Sequence, residues 1–416
     1  MPVYPGNPVA NTQAVAVHYF NGRVISAEDL SAEQAANRAL ANNLGGAIGP
    51  GIVRGYEVRH NTGAGSNASP VVTVSRGVAL NAIGHLLWMD QDVQLALTPP
   101  VSVEAAEKVF QVCQQSPGGD YVAAGGAYIL TVAPASTPRG LANVTGLGNV
   151  QSTCNIRFRA DSVIFRLIQL PVPSADLSNA NLRRNLVAYH CLGPVATPDA
   201  VVRPFLPATP NTLDSLRPDK LTDCDVPLCV FYWTATGGIQ FVDNWAVRRR
   251  VAGSNIDFGA APIASGPDLA VHEAMSQQFQ AQVDDLLRLE PAPASIRAKD
   301  RFRYLPPAGI VPMAGSATIG FDPLTFFSST TRGLTGADPL YIEGSRVQHL
   351  FRTAAAFPPI DLQKPEMIWA FWVRENIQAF QSNPAVAPYM VFASGHLPYL
   401  GEPRYNLSHW TYSNFI

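Results

Sequence analysis

The chain has 416 residues, 47% of them hydrophobic, and a formal net charge of −2. That apolar content excludes a globally disordered chain, and the near-neutral balance excludes a global field that would draw the protein to nucleic acid or anionic lipid. Charged residues make up only 14%, against about 25% in an average soluble protein, while Pro (35) and Gly (32) are plentiful. This is the composition of a turn-rich, strand-rich protein whose surface is meant to be covered by other protein.

The opening residues, rich in Pro and Asn, read as an extended arm, and MPVYPGNPVANTQ has neither the basic nor the apolar region of a signal peptide. HYFNGRVI then reads as a short hairpin with Asn21-Gly22 at the bend. Ser26 and Ser31 each open a capping-box pattern; Ser26 is the better start, because it places Glu28 and Asp29 in the first turn, at the positive end of the dipole. The helix should run to about Asn43 and stop at Gly45-Gly46. Its apolar face, with Leu30, Leu40 and Leu44, is thin, so the helix needs packing partners.

GPGIVRGYEVR, VVTVSRGVALNAIGHLLWM and DVQLAL read as short strands, with a turn at residues 81–84. Residues 103–115 suggest a short helix, GGAYILTVAP and IRFRADSVIFRLIQL are strands, and ADLSNANLRRNLVAYHCLG is a helix ending at Gly193. Residues 194–218 and 253–268 read as loops on either side of VPLCVFYWTATGGIQFVDNWAVRRR, a hairpin turning at Gly237-Gly238. DLAVHEAMSQQFQAQVDDLLRLEP predicts one long helix, about 268–290, capped by Asp268 and ended by Pro291. Its stripe of Met275, Phe279, Val283 and Leu286 is either a core face or a seam between subunits. Residues 367–416 are dense in aromatics. No segment reaches the roughly 18 apolar residues of a membrane-spanning helix.

These elements predict an α+β, β-rich, multidomain chain with short antiparallel sheets, an N-terminal helix-loop-strand module and one long helix. The divisions expected are 1–60 as an N-terminal arm and docking module and 61–210 as a β-rich domain. Residues 211–260 form a hairpin region continuing that domain, and 261–416 a C-terminal α/β domain with an aromatic-rich end.

Chemistry-bearing patterns are sparse. GAIGPG and GLGNVQ lack the Lys and Ser/Thr of a phosphate loop, and neither a G-x-S-x-G elbow nor an H-E-x-x-H motif occurs. Cys113, Cys154, Cys191, Cys224 and Cys229 read as structural thiols of a reducing compartment, with a single disulfide or a metal role as the alternatives. Asp223 and Asp225 would share one face of a strand, which makes a cation site conceivable; local turn bonding is the plainer reading. Arg248, Arg249 and Arg250 are the densest basic patch, and they read as pairing with carboxylates across a subunit contact or as facing water. No cofactor, catalytic residue or metal ligand is assigned.

The stretch HYFNGRVISAEDLSAEQAANRALANNLGGAIGPGIVRGYEVR resembles the N-terminal pattern of structural proteins encoded beside phage-type contractile tails and extracellular contractile injection systems. The resemblance rests on an aromatic-Phe-x-Gly entry, a Ser-Ala-Glu-Asp-Leu helix start, and a helix that ends before Gly-x-Val-x-Gly-hydrophobic-Glu-Val. VTVSRGVALNAIGHLL, the VPLC…VRRR hairpin and FRYLPPAGIVPM echo it in the same order. It implies a non-enzymatic particle component at the baseplate or in a tail fibre, with baseplate, sheath or tube proteins as partners. Assembly is expected in the cytoplasm, with release in the particle, and as a closed homo-oligomer, a trimer by preference. Tyr19, Phe20, Arg23, Glu28 and Asp29, with the three arginines above, would be the interacting residues. The alternative is a carbohydrate-binding, receptor-recognising module that stacks Trp369, Trp372, Tyr389, Tyr399 and Trp410 on the sugars of a cell-surface glycan. A glycosidase comes third.

Overall fold

A computed structural model describes residues 20–22, 24–98, 110–111, 122, 124–143, 154–193, 212–251, 266–327, 340–354, 357–364 and 367–395. Over these residues the chain is α+β and rich in strands, arranged in several short sheets whose strand pairs are antiparallel with one exception.

Helix α1 (Ala27–Ile48) starts where its capping chemistry places it. The Ser26 hydroxyl accepts the Asp29 N–H at 3.2 Å, and the Asp29 carboxylate accepts the Ser26 N–H at 3.0 Å. Ser31 lies inside the helix and bonds back to the Ala27 carbonyl. The helix does not stop at Gly45-Gly46; it continues to Ile48 and leaves through Gly49, whose φ is +96°. The turn expected at Asn21-Gly22 is present, but Val24 and Ile25 are not in a strand.

Six strands follow: β1 (Gly51–Gly55), β2 (Val58–Ser66), β3 (Ser69–Val74), β4 (Gly77–Leu80), β5 (Leu86–Met89) and β6 (Val93–Ala96). They form two three-stranded sheets, ordered β1-β4-β5 and β2-β3-β6. Phe110–Gln111, expected in a helix, is strand β7; the rest of that expected helix lies outside the described residues. Strands β8 (Gly126–Asn143) and β9 (Cys154–Gln169) pair along nearly their whole length, from Tyr128↔Gln169 to Asn143↔Cys154. Helices α2 (Ser174–Ser178), α3 (Ala180–Leu192) and α4 (Thr212–Ser215) lead to the hairpin of β10 (Val226–Thr234) and β11 (Gly238–Asp243). Most of the loop expected over 194–218, and of that over 253–268, falls outside the described residues.

The larger sheet runs β11-β10-β8-β7, with β9 also paired to β8. Alternation along β8 and β10 gives it two buried faces. Tyr128, Leu130, Val132 and Phe231 pack against Ile52, Tyr56, Val58, Val72 and Leu87 of the small sheets. Ile129, Ile168 and Val230 pack against Val187, Ala188 and Leu192 of α3. Ile52, Tyr56 and Val58 thus supply core.

The second half contains α5 (Gly266–Leu289), a single 3-10 turn, α6 (Ala298–Arg301), β12 (Tyr304–Leu305), β13 (Ala308–Pro312), α7 (Pro323–Phe326) and β14 (Tyr341–Ile342). After these come α8 (Gly344–Ala354), β15 (Ile360–Asp361), β16 (Ile368–Val373), α9 (Arg374–Ser382) and β17 (Tyr389–Ser394). Its sheet, ordered β13-β17-β16-β14, includes the one parallel pair, β14–β16. One face packs on Phe279 and Val283 of α5, within a cluster of phenylalanines in which Phe279 lies 5.2 Å from Phe302 and 5.4 Å from Phe392. The other packs on Leu350 and Ala354 of α8.

Helix α5 begins two residues before its expected cap, Asp268. Its stripe faces core, and it serves two cores: Ala274 and Met275 enter the one beneath the large sheet, while Phe279, Val283 and Leu286 enter that of the second half. A polar network fastens the same crossing. Arg184 of α3 donates to Asp243 at the end of β11 (2.8 Å) and to Asp285 of α5. Asp243, 1% exposed, also accepts from Gln278 (3.2 Å) and from the Ala246 N–H (3.0 Å). Burial alone would drive the Arg184 guanidinium downward, but the two carboxylates outweigh it and hold its charge. Next along α3, buried Asn185 accepts the N–H groups of Arg303 and Tyr304 (both 2.9 Å) and donates to the Tyr304 carbonyl (3.0 Å), so its amide acts like a strand neighbour of β12.

Cys191 and Cys229 are buried free thiols, and burial pushes the Cys191 thiol up to about 12, which leaves it inert. Cys224, expected as a thiol, is disulfide-bonded.

Replacing Asp243 by Ala would leave Arg184 and Gln278 without their shared acceptor. We expect Asp243→Ala to cost about 3–5 kcal/mol, read from the urea midpoint. Phe279→Ala should cost a similar ~3–5 kcal/mol through its cavity. Both losses should appear in one shared unfolding transition, because each change strikes the crossing of the two halves.

Candidate docking surface

Helix α1 meets the body through its small and polar side. Ala36, Ala39 and Asn42 are half-buried, and Gly45 is the one fully buried residue of the helix. The contact is backbone against backbone. A Cβ on Gly45 would stand 2.2 Å from the Gly84 carbonyl oxygen, and one on Gly84 would stand 1.8 Å from that of Asn42. Gly84 also has φ +80°, so both partners must be glycine for the helix to approach the β4–β5 turn this closely. Gly45 is therefore a packing position, which is why it does not end the helix.

The leucine side points away. Leu30 (54% exposed), Leu40 (59%), Leu44 (61%) and Ile48 (53%) are uncovered and lie within about 80° of the helix circumference. The apolar exposure continues beyond the helix. Val24 and Ile25 precede it, Ile83 sits in the turn that α1 touches, and Val53, Leu86 and Trp88 are exposed on the β1-β4-β5 sheet. Leu86 and Trp88 alternate with buried Leu87 and Met89, so they occupy the outer face of that sheet. A run of exposed apolar side chains this extensive marks an interaction site.

The residues singled out from the sequence scatter. Phe20 is exposed, and Tyr19 and Arg23 lie outside the described residues. Glu28 and Asp29 serve the helix start: Asp29 completes the capping box, and hydrogen bonds from Ser26 and from its own backbone lower the Glu28 carboxyl.

The arginine patch requires correction, because it is largely internal. Arg248, 6% exposed, donates to the carbonyls of Gly55 (3.1 Å) and Tyr56, closing the β1–β2 corner where Tyr56 is held at φ +56°. Part-buried Arg249 donates to the carbonyls of Arg248 (2.9 Å) and Cys191 (3.2 Å), and burial lowers its guanidinium to about 10. Arg250 pairs with Glu273 of the same chain at 3.0 Å and lies over the Trp245 ring.

The aromatic set does not converge either. Trp369 and Trp372 lie three residues apart on β16, so they point to opposite faces of the sheet. Trp369 packs against the α8 side and Trp372 against the α5 side. Tyr389 is on the α8 side, four residues along β17 from the partner of Trp369, about 13 Å away. Tyr399 and Trp410 lie outside the described residues.

Asp223 and Asp225 also part. Asp225 is buried and accepts from Thr131 (2.9 Å), Thr222 (2.6 Å from the hydroxyl) and Arg166, whereas Asp223 is exposed beside Arg217 at 3.3 Å. Among the described residues no group of three or more His, Cys, Asp or Glu side chains could hold a metal ion, and no helix is long and apolar enough to cross a membrane.

Two surface hollows are lined by described residues. One, of about 480 Å³, is lined by Arg139, Leu141, Arg157 and Phe158 on the β8–β9 ribbon. The other, of about 320 Å³, holds Glu57, Arg59, Arg76 and Asp92, where Glu57 pairs with Arg59 at 2.8 Å and Asp92 accepts the Arg76 N–H at 2.8 Å. In the second, the Ser75 hydroxyl accepts the Glu57 N–H at 2.9 Å. No protein-family model matches the chain, and no curated protein matches it.

One histidine has a thermodynamic signature. Burial lowers His272 of α5 to about 4 from 6.5. The folded state refuses a proton that the unfolded chain accepts, so this stabilisation is complete above pH 6.5 and is lost as pH falls toward 4. His272→Gln should flatten that decline. Urea midpoints of both proteins at about pH 7 and about pH 5 will show the difference, with a limiting slope of ~1.4 kcal/mol per pH unit.

Proposed function

We propose that the protein is a structural, docking component of a phage-tail-like contractile injection particle, at the baseplate or in a fibre, attached through its N-terminal helix. The observation that carries this reading is the orientation of α1. An amphipathic helix normally buries its leucines and exposes its small polar residues; this one buries Gly45, half-buries Ala36 and Ala39, and exposes Leu30, Leu40, Leu44 and Ile48. An apolar side left open on a helix seated by its other side is a surface for a partner. The N-terminal resemblance to contractile-tail structural proteins falls on this same segment, and the low overall charge suits a part enclosed by neighbours.

The fold fixes where to cut. Deleting residues 1–49 removes α1 and leaves Ile52, Tyr56 and Val58 in their core, so the product should fold, with a far-UV spectrum that loses only the signal of that 22-residue helix and with cooperative melting, but should no longer co-purify with sheath and baseplate. Deleting 1–60 removes β1 and the start of β2 and should abolish folding. If the 1–49 deletion still enters particles, attachment does not run through α1 and the reading fails.

A further inference from the structure

The uncovered N-terminal surface is self-complementary, and we infer that its occupant is a second copy of this chain, bound about a two-fold axis with the two α1 helices antiparallel. This rests on the docking reading above and refines it: the leucine side of α1 joins two copies, and it is the paired helices that the particle receives.

Three observations carry it. The first is extent. Leu30, Leu40, Leu44, Ile48, Leu86 and Trp88 are each more than half exposed. Together with the apolar residues flanking them, they offer area on the order of the ~800 Å² that each side of a standard interface buries.

The second is pattern. Apolar side chains cluster at both ends of the helical segment, with Val24, Ile25 and Leu30 before its middle and Leu40, Leu44 and Ile48 after it. Glu33, Gln34 and Asn37 lie between. Asn37 donates to Glu33 at 3.5 Å, so part of this polar middle is satisfied within the helix. A two-fold axis near residue 36 seats Leu30 between the partner's Leu40 and Leu44 and sets Val24 opposite its Ile48, and the polar middles meet at the axis. An isologous contact needs this reciprocity, because residue i must meet j while j meets i.

The third is charge. A parallel pair would stack the acidic first turns, Glu28 and Asp29, on their own copies. The antiparallel pair separates each from its own copy by 14 to 16 residues along the helix, roughly 21–24 Å at 1.5 Å per residue, and opposes the two helix dipoles.

The test uses the full-length protein. Sedimentation or light scattering across micromolar concentrations should give a dimer mass. Leu44→Asp, at a position the monomer leaves exposed, should keep the circular dichroism spectrum and raise the dimer Kd at least about tenfold. Cysteine cross-linking then reports the geometry: Gln34→Cys, near the axis, should form an intermolecular disulfide, whereas Ile48→Cys should not. Cross-linking of both positions means parallel helices and overturns the arrangement. A wild-type monomer at every concentration overturns the dimer, and it leaves the particle reading intact if the 1–49 deletion still abolishes co-purification. A dimer that dissociates on Leu44→Asp supports the inference even if the 1–49 deletion enters particles, in which case only the particle reading falls.

Discussion

The architecture depends on one buried carboxylate. Asp243 ends β11, and its two oxygens collect the Arg184 guanidinium from α3, the Gln278 amide from α5 and the Ala246 N–H of its own turn. An isolated buried charge is strongly unfavourable, and this one is tolerable only because its acceptor sites are filled and a cation stands beside it. That requirement fixes three elements from separate parts of the chain in one arrangement. Asn185, the neighbour of Arg184, then holds the backbone of residues 303–304, so α3 grips both halves of the molecule within two successive residues. The apolar stripe of α5 supplies most of the burial at this crossing, and the polar network sets its register.

What the sequence disclosed was whatever short-range chemistry determines. The start of α1 was legible because a capping box is complete within four residues, and the Ser26 choice over Ser31 followed from where the acidic residues would fall in the dipole. The β10–β11 turn was legible from its two glycines. The long helix was legible from its stripe, though not its service to two cores, since Met275 and Phe279 are equally apolar and only the fold assigns them to different neighbours. The thin apolar face of the N-terminal helix is legible in the spacing of its leucines, and these side chains are exposed.

The illegible features share a cause: their partners are remote in sequence. Gly45 looked like a stop signal because its real constraint, the approach of Gly84, leaves no local trace. Three consecutive arginines looked like surface, yet Arg248 and Arg249 spend their donors on backbone carbonyls of β1, the β1–β2 corner and α3. Cys224 looked like one more thiol. The tryptophans of β16 are a milder case, because their spacing of three already puts them on opposite faces of any strand. A rule of alternation, applied before counting aromatics, would have separated them.

The continuity of α5 has a mechanical meaning. A rod embedded at one end in one hydrophobic mass and at the other end in a second transmits displacement between them with little slack. The flanking bodies can neither hinge freely nor melt in succession. Pulling on either end would load both at once, because the same helix is seated in both.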